Sequence, residues 1–323
     1  MPLLRLLQRR ALPAALLWLA AAGWAAPLIT PAELQALAQA GAVRIVDVRE
    51  TQAYQLQHLP GAVSAPYFTR WRGPTSNPGL VPPLADLTAL VQELGLTPET
   101  RTVLVYTGVD STDFATAARS YWTLKSLGVR DISILNGGLN AWRGAGLPVS
   151  NKPAQVARSH WRPQFNPEWL ATRDEVRQLL GSPKAVLIDS RPAPFFQGRI
   201  ANEAARARGT LPGAVNLDSD LYFELGSAVL MDKAGLETEA EAAHVQPGQT
   251  VVAFCNAGHW SATDWFVRSE LLGQSGAKLY PGSVIDWSQA SEPLPMVNEP
   301  SRLDKLRHML LAWSHRNLGT KAP

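Results

Sequence analysis

Val43-Arg44-Ile45-Val46-Asp47-Val48-Arg49 is an apolar, β-branched run that ends in an acid and an arginine, and Ala185-Val186-Leu187-Ile188-Asp189-Ser190-Arg191 repeats it in the second half of the chain. Runs of this composition predict buried strands of the kind that parallel sheets use. The repetition extends outward from both. His58-Leu59-Pro60-Gly61-Ala62-Val63 follows the first run and Thr210-Leu211-Pro212-Gly213-Ala214-Val215 follows the second. In each, Pro-Gly marks a turn and the apolar residues after it begin another strand. Two further short strands are predicted at Thr102-Val103-Leu104-Val105-Tyr106 and Thr250-Val251-Val252-Ala253-Phe254. Each leads through a polar loop into a helical pattern, over residues 115–127 and 262–272. Each half closes on a strand and a glycine turn, Ile132 to Gly138 and Ala277 to Gly282, with Trp142 and Trp287 shortly after.

Strands alternating with helices imply an α/β class, with parallel sheets flanked by helices. Two copies imply two tandem domains, at residues 27–150 and 165–298, joined by a segment containing Pro148, Pro153 and Pro163. A chain of 323 residues is long enough for each domain to bury its own core. The 11 tryptophans fit core and domain-interface packing, with pocket lining as the other use.

Both ends carry something extra. Arg5, Arg9 and Arg10, then the small apolar run Ala11 to Ala22, then Gly23-Trp24-Ala25-Ala26, have the layout of a secretory signal peptide over residues 1–25. That reading places the mature protein in the periplasm or outside the cell, with no stable membrane insertion after cleavage. Without the three arginines of that segment, the 30 basic residues fall to 27, equal to the 27 acidic ones. No basic excess remains to draw nucleic acid, so none is expected as a partner. In a tail at residues 299–323, Leu303, Leu306, Leu310 and Trp313 recur at helical spacing. They predict a terminal helix packed on the second domain.

Cys255 is the only cysteine. Exported domains use cysteines in pairs, so a lone one is either a buried passenger or a reactive thiol. Its context is Phe254-Cys255-Asn256-Ala257-Gly258-His259-Trp260-Ser261-Ala262, between a strand and a helix. Sites in open α/β sheets lie at the carboxyl ends of strands. A loop there can aim backbone N–H groups inward, and the following helix adds positive potential, both of which favour thiolate over thiol. Cys255 is therefore the candidate nucleophile. The six histidines, at positions 58, 160, 244, 259, 308 and 315, form no short-spaced ligand set with Cys255, so neither metal nor cofactor is expected.

In their order and duplication, Asp47-Val48-Arg49, His58 to Ala62, Asn136-Gly137-Gly138, Asp189-Ser190-Arg191, Leu211 to Ala214 and the Cys255 loop resemble the two-domain rhodanese family. The likeness covers nearly the whole mature chain. It implies two rhodanese-like domains, with catalysis in the second. It also implies a sulfurtransferase that moves sulfur from a small-molecule donor, such as thiosulfate or 3-mercaptopyruvate, to a thiol or cyanide through a Cys255 persulfide. If Tyr106 is aligned with Phe254, Thr107 stands in the first half where Cys255 stands in the second, which makes the first domain the inactive partner.

The resemblance also matches Arg191 to an arginine near the bound anion, and the loop has no lysine or arginine of its own. Arg191 is thus the expected side-chain cation, with a salt bridge to Asp189 as its other reading. Asn256, Ala257, Gly258, His259 and Trp260 complete the candidate substrate site. The sequence Asn256 to Trp260 has neither the basic residues of thiosulfate-using relatives nor the small Gly-rich run of mercaptopyruvate-using ones, which leaves the donor open. Related dual-specificity phosphatases carry an arginine at the position of Ser261, so phosphate-ester chemistry is not expected. A sulfur carrier or binding module without turnover is the non-enzymatic alternative.

Overall fold

The computed structural model describes residues 26–299; the expected signal segment at 1–25 and the expected helix at 301–318 lie outside them. The first domain holds strands β1 (Leu28–Ile29), β2 (Arg44–Asp47), β3 (Val63–Ser64), β4 (Thr102–Val105) and β5 (Ile132–Leu135), ordered β1-β5-β4-β2-β3. The second holds β6 (Ala185–Asp189), β7 (Val215–Asn216), β8 (Thr250–Phe254) and β9 (Ala277–Leu279), ordered β7-β6-β8-β9. Every pairing is parallel. Among the described residues the second sheet has no strand matching β1, and a single bridge from Leu170 to Leu279 takes that edge.

The central strands are buried throughout because helices cover both faces, which is why their sequences run apolar without alternating. The helix predicted at 115–127 starts earlier, at Ser111, because Asp110 caps it by accepting from the Asp113 N–H, and it stops at Gly128, whose φ of 103° suits only glycine. Its counterpart, Trp260–Phe266, has no side-chain cap and passes into a π-helical turn at Val267–Leu271. These two helices pack together across the domain boundary. Phe114 meets Phe223 and Phe266 with ring centroids 5.3 and 5.8 Å apart, and Tyr121 meets Phe266 at 5.0 Å. One apolar cluster therefore runs through both domains, and Trp71, Trp122, Trp265 and Trp287 are all buried within the fold.

The strand register aligns the two halves residue by residue. Asp47 pairs with Val105 and Asp189 with Phe254. Val48 and Ser190 then donate to the carbonyls of Val105 and Phe254. Tyr106, not Thr107, is thus the structural counterpart of Cys255. The off-by-one in the sequence alignment arose because Tyr106 continues the apolar run, whereas the strand already ends at Val105.

Candidate active site

The site grows from the end of β8. Cys255 is 1% exposed, and its loop closes over it within four residues, with the His259 N–H donating to Sγ at 3.2 Å. Two other loop N–H groups, those of Cys255 and Gly258, go to the Ser283 hydroxyl at 3.0 and 3.1 Å. That hydroxyl donates onward to the Tyr280 carbonyl at 2.8 Å. Ser283 sits at φ 55°, a left-handed conformation that costs a non-glycine residue about 1–3 kcal/mol when held by its surroundings. The matching position in the first domain is Gly138, at φ 58°. Serine tolerates the strain in the second domain and supplies the hydroxyl that pins the loop. Gly258, at φ 62°, has no room for a Cβ, which would lie 2.5 Å from an Arg119 nitrogen and 2.6 Å from Pro281.

Arg191 lies at this end of the sheet, but its guanidinium is already engaged. It is 2% exposed, donates to both carboxylate oxygens of Asp189 at 2.8 and 2.5 Å, and donates to the Gly209 carbonyl at 2.8 Å. A longer contact of 3.3 Å reaches the Asn256 side-chain oxygen. In the first domain Arg49 makes the same pair with Asp47, at 2.9 and 2.7 Å, and caps the Gln57 carbonyl. A pairing shared by a domain with no thiol is a device of the fold. The geometry favours the salt-bridge reading of Arg191 over its expected role as the donor-binding cation. Thr210 joins the same cluster by donating to Asp189 at 2.6 Å, which accounts for its replacing the histidine of the first half.

The cations near Cys255 come from the other domain. Arg119, in the helix Ser111–Leu127, is fully buried and donates to the Gly258 carbonyl at 3.1 Å and the Gly79 carbonyl at 2.9 Å. Burial pulls its pKa down to about 10, while Tyr67 and Cys255 act in the opposite sense. Arg72 donates to the Tyr67 hydroxyl at 2.8 Å, and that hydroxyl lies 3.1 Å from Nδ1 of His259. Although His259 keeps some solvent exposure, desolvation of its ring, with Arg72 and Arg119 nearby, pushes its pKa down to about 3. The ring is therefore neutral near pH 7 and brings no positive charge to a donor. Trp260 opens the next helix, bonds the Thr112 hydroxyl of the first domain at 3.0 Å and stacks edge-on against Phe195 at 5.8 Å.

Of the loop residues Asn256, Ala257, Gly258, His259 and Trp260, His259 meets the Cys255 sulfur through its backbone N–H, Asn256 reaches Arg191 and Trp260 reaches Thr112. Arg72, Tyr67, Gly79 and Arg119 were not legible, because their nearness to Cys255 exists only once the domains are packed. Ser283 had a faint signal, a serine at the end of a Pro-Gly turn. Among the described residues there is no group of three or more His, Cys, Asp or Glu side chains placed to hold a metal ion.

A family model described as the rhodanese-like domain matches residues 30–145 and again residues 172–290. A thiosulfate sulfurtransferase of Azotobacter vinelandii is 29% identical over 260 residues, covering 80% of this chain and 93% of the relative. A thiosulfate sulfurtransferase of Gallus gallus is 28% identical, covering 77% and 84%. Among solved structures, the 3-mercaptopyruvate sulfurtransferase SseA from Escherichia coli superposes with a TM-score of 0.71 at 22% identity, covering 80% of this chain and 99% of that one.

Proposed function

Because the chain belongs to the rhodanese-like domain family, we propose that it transfers sulfane sulfur through a persulfide on Cys255, with thiosulfate as the donor. The observation that carries this reading is the Cys255 Sγ at the end of β8, held 3.2 Å from the His259 N–H in a loop pinned by Ser283. Preset N–H donors stabilise a sulfur anion without having to reorganise during the reaction. The Cys255 thiolate forms an S–S bond to the outer sulfur of thiosulfate as the bond to the sulfonate sulfur breaks. Sulfite leaves with the electron pair, and Cys255 keeps the sulfur as a persulfide anion. Cyanide or a thiolate then bonds to the terminal sulfur, and the cysteine thiolate returns. The chemistry needs no metal or organic cofactor.

Intact-mass analysis after thiosulfate treatment tests the first step, and one added sulfur on the wild type is the expected result. A steady-state panel of thiosulfate, 3-mercaptopyruvate and glutathione persulfide tests the donor, with thiosulfate giving the highest kcat/KM. A stable persulfide that no small-molecule acceptor discharges would instead mark a sulfur carrier.

The reading includes export. Residues 1–25 carry a basic start, an apolar run and small residues at its end, and among the described residues no helix is long and apolar enough to cross a membrane. N-terminal sequencing of the mature protein should begin near Ala26 or Pro27. A cytoplasmic product retaining Met1 would overturn this.

A further inference from the structure

Two arginines connect to the Cys255 loop from the domain that does not bear the sulfur. Arg72 and Arg119 both belong to the first domain, and among the described residues neither has a carboxylate partner. The Nε of each is buried with no hydrogen-bond partner. Two cations are thus partly or wholly out of water and lack a counter-charge, in positions where each would normally have one. A continuous path links them to the nucleophile. Arg72 donates to the Tyr67 hydroxyl, which meets His259, whose N–H in turn meets the Cys255 sulfur. Arg119 holds the Gly258 carbonyl of the same loop and ties it to Gly79 of the first domain. In the second domain, Arg191 is paired with Asp189 and His259 is neutral near pH 7.

We propose that the first domain supplies the anion-binding wall of the active site: Arg72 receives the anionic, sulfonate end of the sulfur donor, and Arg119 is the positioning residue that holds the Cys255 loop against it. A guanidinium gives such an end two parallel donors as well as charge. The outer sulfur is then directed at Cys255, and the departing sulfite keeps its contact with Arg72 as the S–S bond breaks. The proposal rests on the sulfurtransferase reading for its substrate. The unpaired arginines and the path from Arg72 through Tyr67 and His259 to Cys255 stand apart from that reading.

The test uses the whole protein and two readouts. The first is kcat/KM for thiosulfate, expected to fall about ten- to a hundredfold in Arg72→Gln, mainly through KM, as loss of one charge-assisted contact implies. Arg72→Lys should recover part of it. Arg70→Gln, whose side chain faces Glu93 at the surface, is the control and should match the wild type. The second readout is the rate of Cys255 alkylation by anionic iodoacetate relative to neutral iodoacetamide, which should drop in Arg72→Gln and return in Arg72→Lys. Arg119→Lys keeps the charge but loses the fork that bridges Gly79 and Gly258, so kcat should fall more than KM rises. If that variant does not fold, Arg72 still decides the matter. An Arg72→Gln protein within twofold of wild type in both readouts overturns the proposal and leaves the sulfurtransferase reading intact. A changed alkylation ratio in a protein that never gains sulfur from thiosulfate supports the anion site and removes the sulfurtransferase reading.

Discussion

In the first domain the loop after β4 runs from Tyr106 to Asp110, and the N–H groups of Gly108 and Val109 donate to the Asp113 carboxylate at 2.7 and 3.1 Å. In the second, the loop after β8 runs from Cys255 to His259, the position equivalent to Asp113 is Ala262, and the His259 N–H meets sulfur. The first loop gives two N–H groups to its own carboxylate. The second gives two to the Ser283 hydroxyl and one to the sulfur. Tyr106, at the place of Cys255, is buried and spends its hydroxyl donating to the Ala228 carbonyl of the other domain at 2.6 Å. Under the proposed function the duplicated frame divides into a structural half and a chemical half through few changes, most of them within eight residues of a strand end. What differs is which groups the loop N–H donors serve.

The largest expected effect breaks this comparison at its centre. Cys255→Ser should abolish sulfur transfer while the protein still folds, because oxygen makes no persulfide. Tyr106→Phe, at the equivalent position, should leave turnover within a few-fold and lower stability only by the lost hydrogen bonds. Mass analysis and steady-state rates on both variants give the contrast directly. A comparable loss of activity in each would mean that the halves are not divided as described.

Next come the twin ion pairs. Removing one partner of a buried pair leaves an unpaired charge and costs about 3–5 kcal/mol. Arg49→Ala and Arg191→Ala should therefore destabilise the protein to a similar extent in denaturant titration, and the KM for thiosulfate per folded molecule should hardly move. If Arg191→Ala is stable and only its KM rises, Arg191 binds donor and the two domains are not alike in this respect.

Asp113 sharpens the contrast at lower cost. Asp113→Ala removes the acceptor of two loop N–H groups, one of them on exposed Val109, and about 0.5–1.5 kcal/mol of stability should be lost. Turnover should stay within a few-fold, since that cradle serves no reaction. Equilibrium unfolding measures the first effect and kinetics the second.

The last effect, nil near neutrality, is on acid stability. The unfolded chain protonates His259 as pH falls through about 6.5, whereas the folded protein resists until about 3. The neutral ring's contribution is thus fully present above about pH 6.5 and is lost progressively as pH falls from there towards 3. His259→Gln should flatten that part of the stability profile, read as melting temperature against pH. An unchanged slope would mean that His259 takes up its proton in the folded state as readily as in the unfolded one.

The fold was legible because it is written in strand composition and in repetition. The runs ending Asp47-Val48-Arg49 and Asp189-Ser190-Arg191 are apolar where helices cover both faces, and each Pro-Gly turn falls before its strand. Cys255 was legible as a lone thiol at a strand end. The alignment slipped at Tyr106 because composition alone does not mark where pairing stops. Arg191 looked like a site residue because nothing local distinguishes an arginine that serves the substrate from one that serves the aspartate two residues earlier. Only the matching pair in the first domain, seen in three dimensions, separates the two roles. Arg72 and Arg119 were silent because their nearness to Cys255 depends on helix packing across the domain boundary.

That packing has a consequence for how the molecule comes apart. Phe114, Tyr121 and Trp122 of the first domain share one apolar cluster with Phe223, Trp265 and Phe266 of the second, and the helix Ser111–Leu127 is buried along most of its length because a sheet lies on one side and the other domain on the opposite side. Separating the halves would expose this surface to water at a cost that grows with its area. The shared cluster therefore couples the unfolding of the two domains, and the thiol's surroundings are complete only while the domains stay docked. A proteolytic nick or a destabilising change far out in the first domain would then silence Cys255 without touching it.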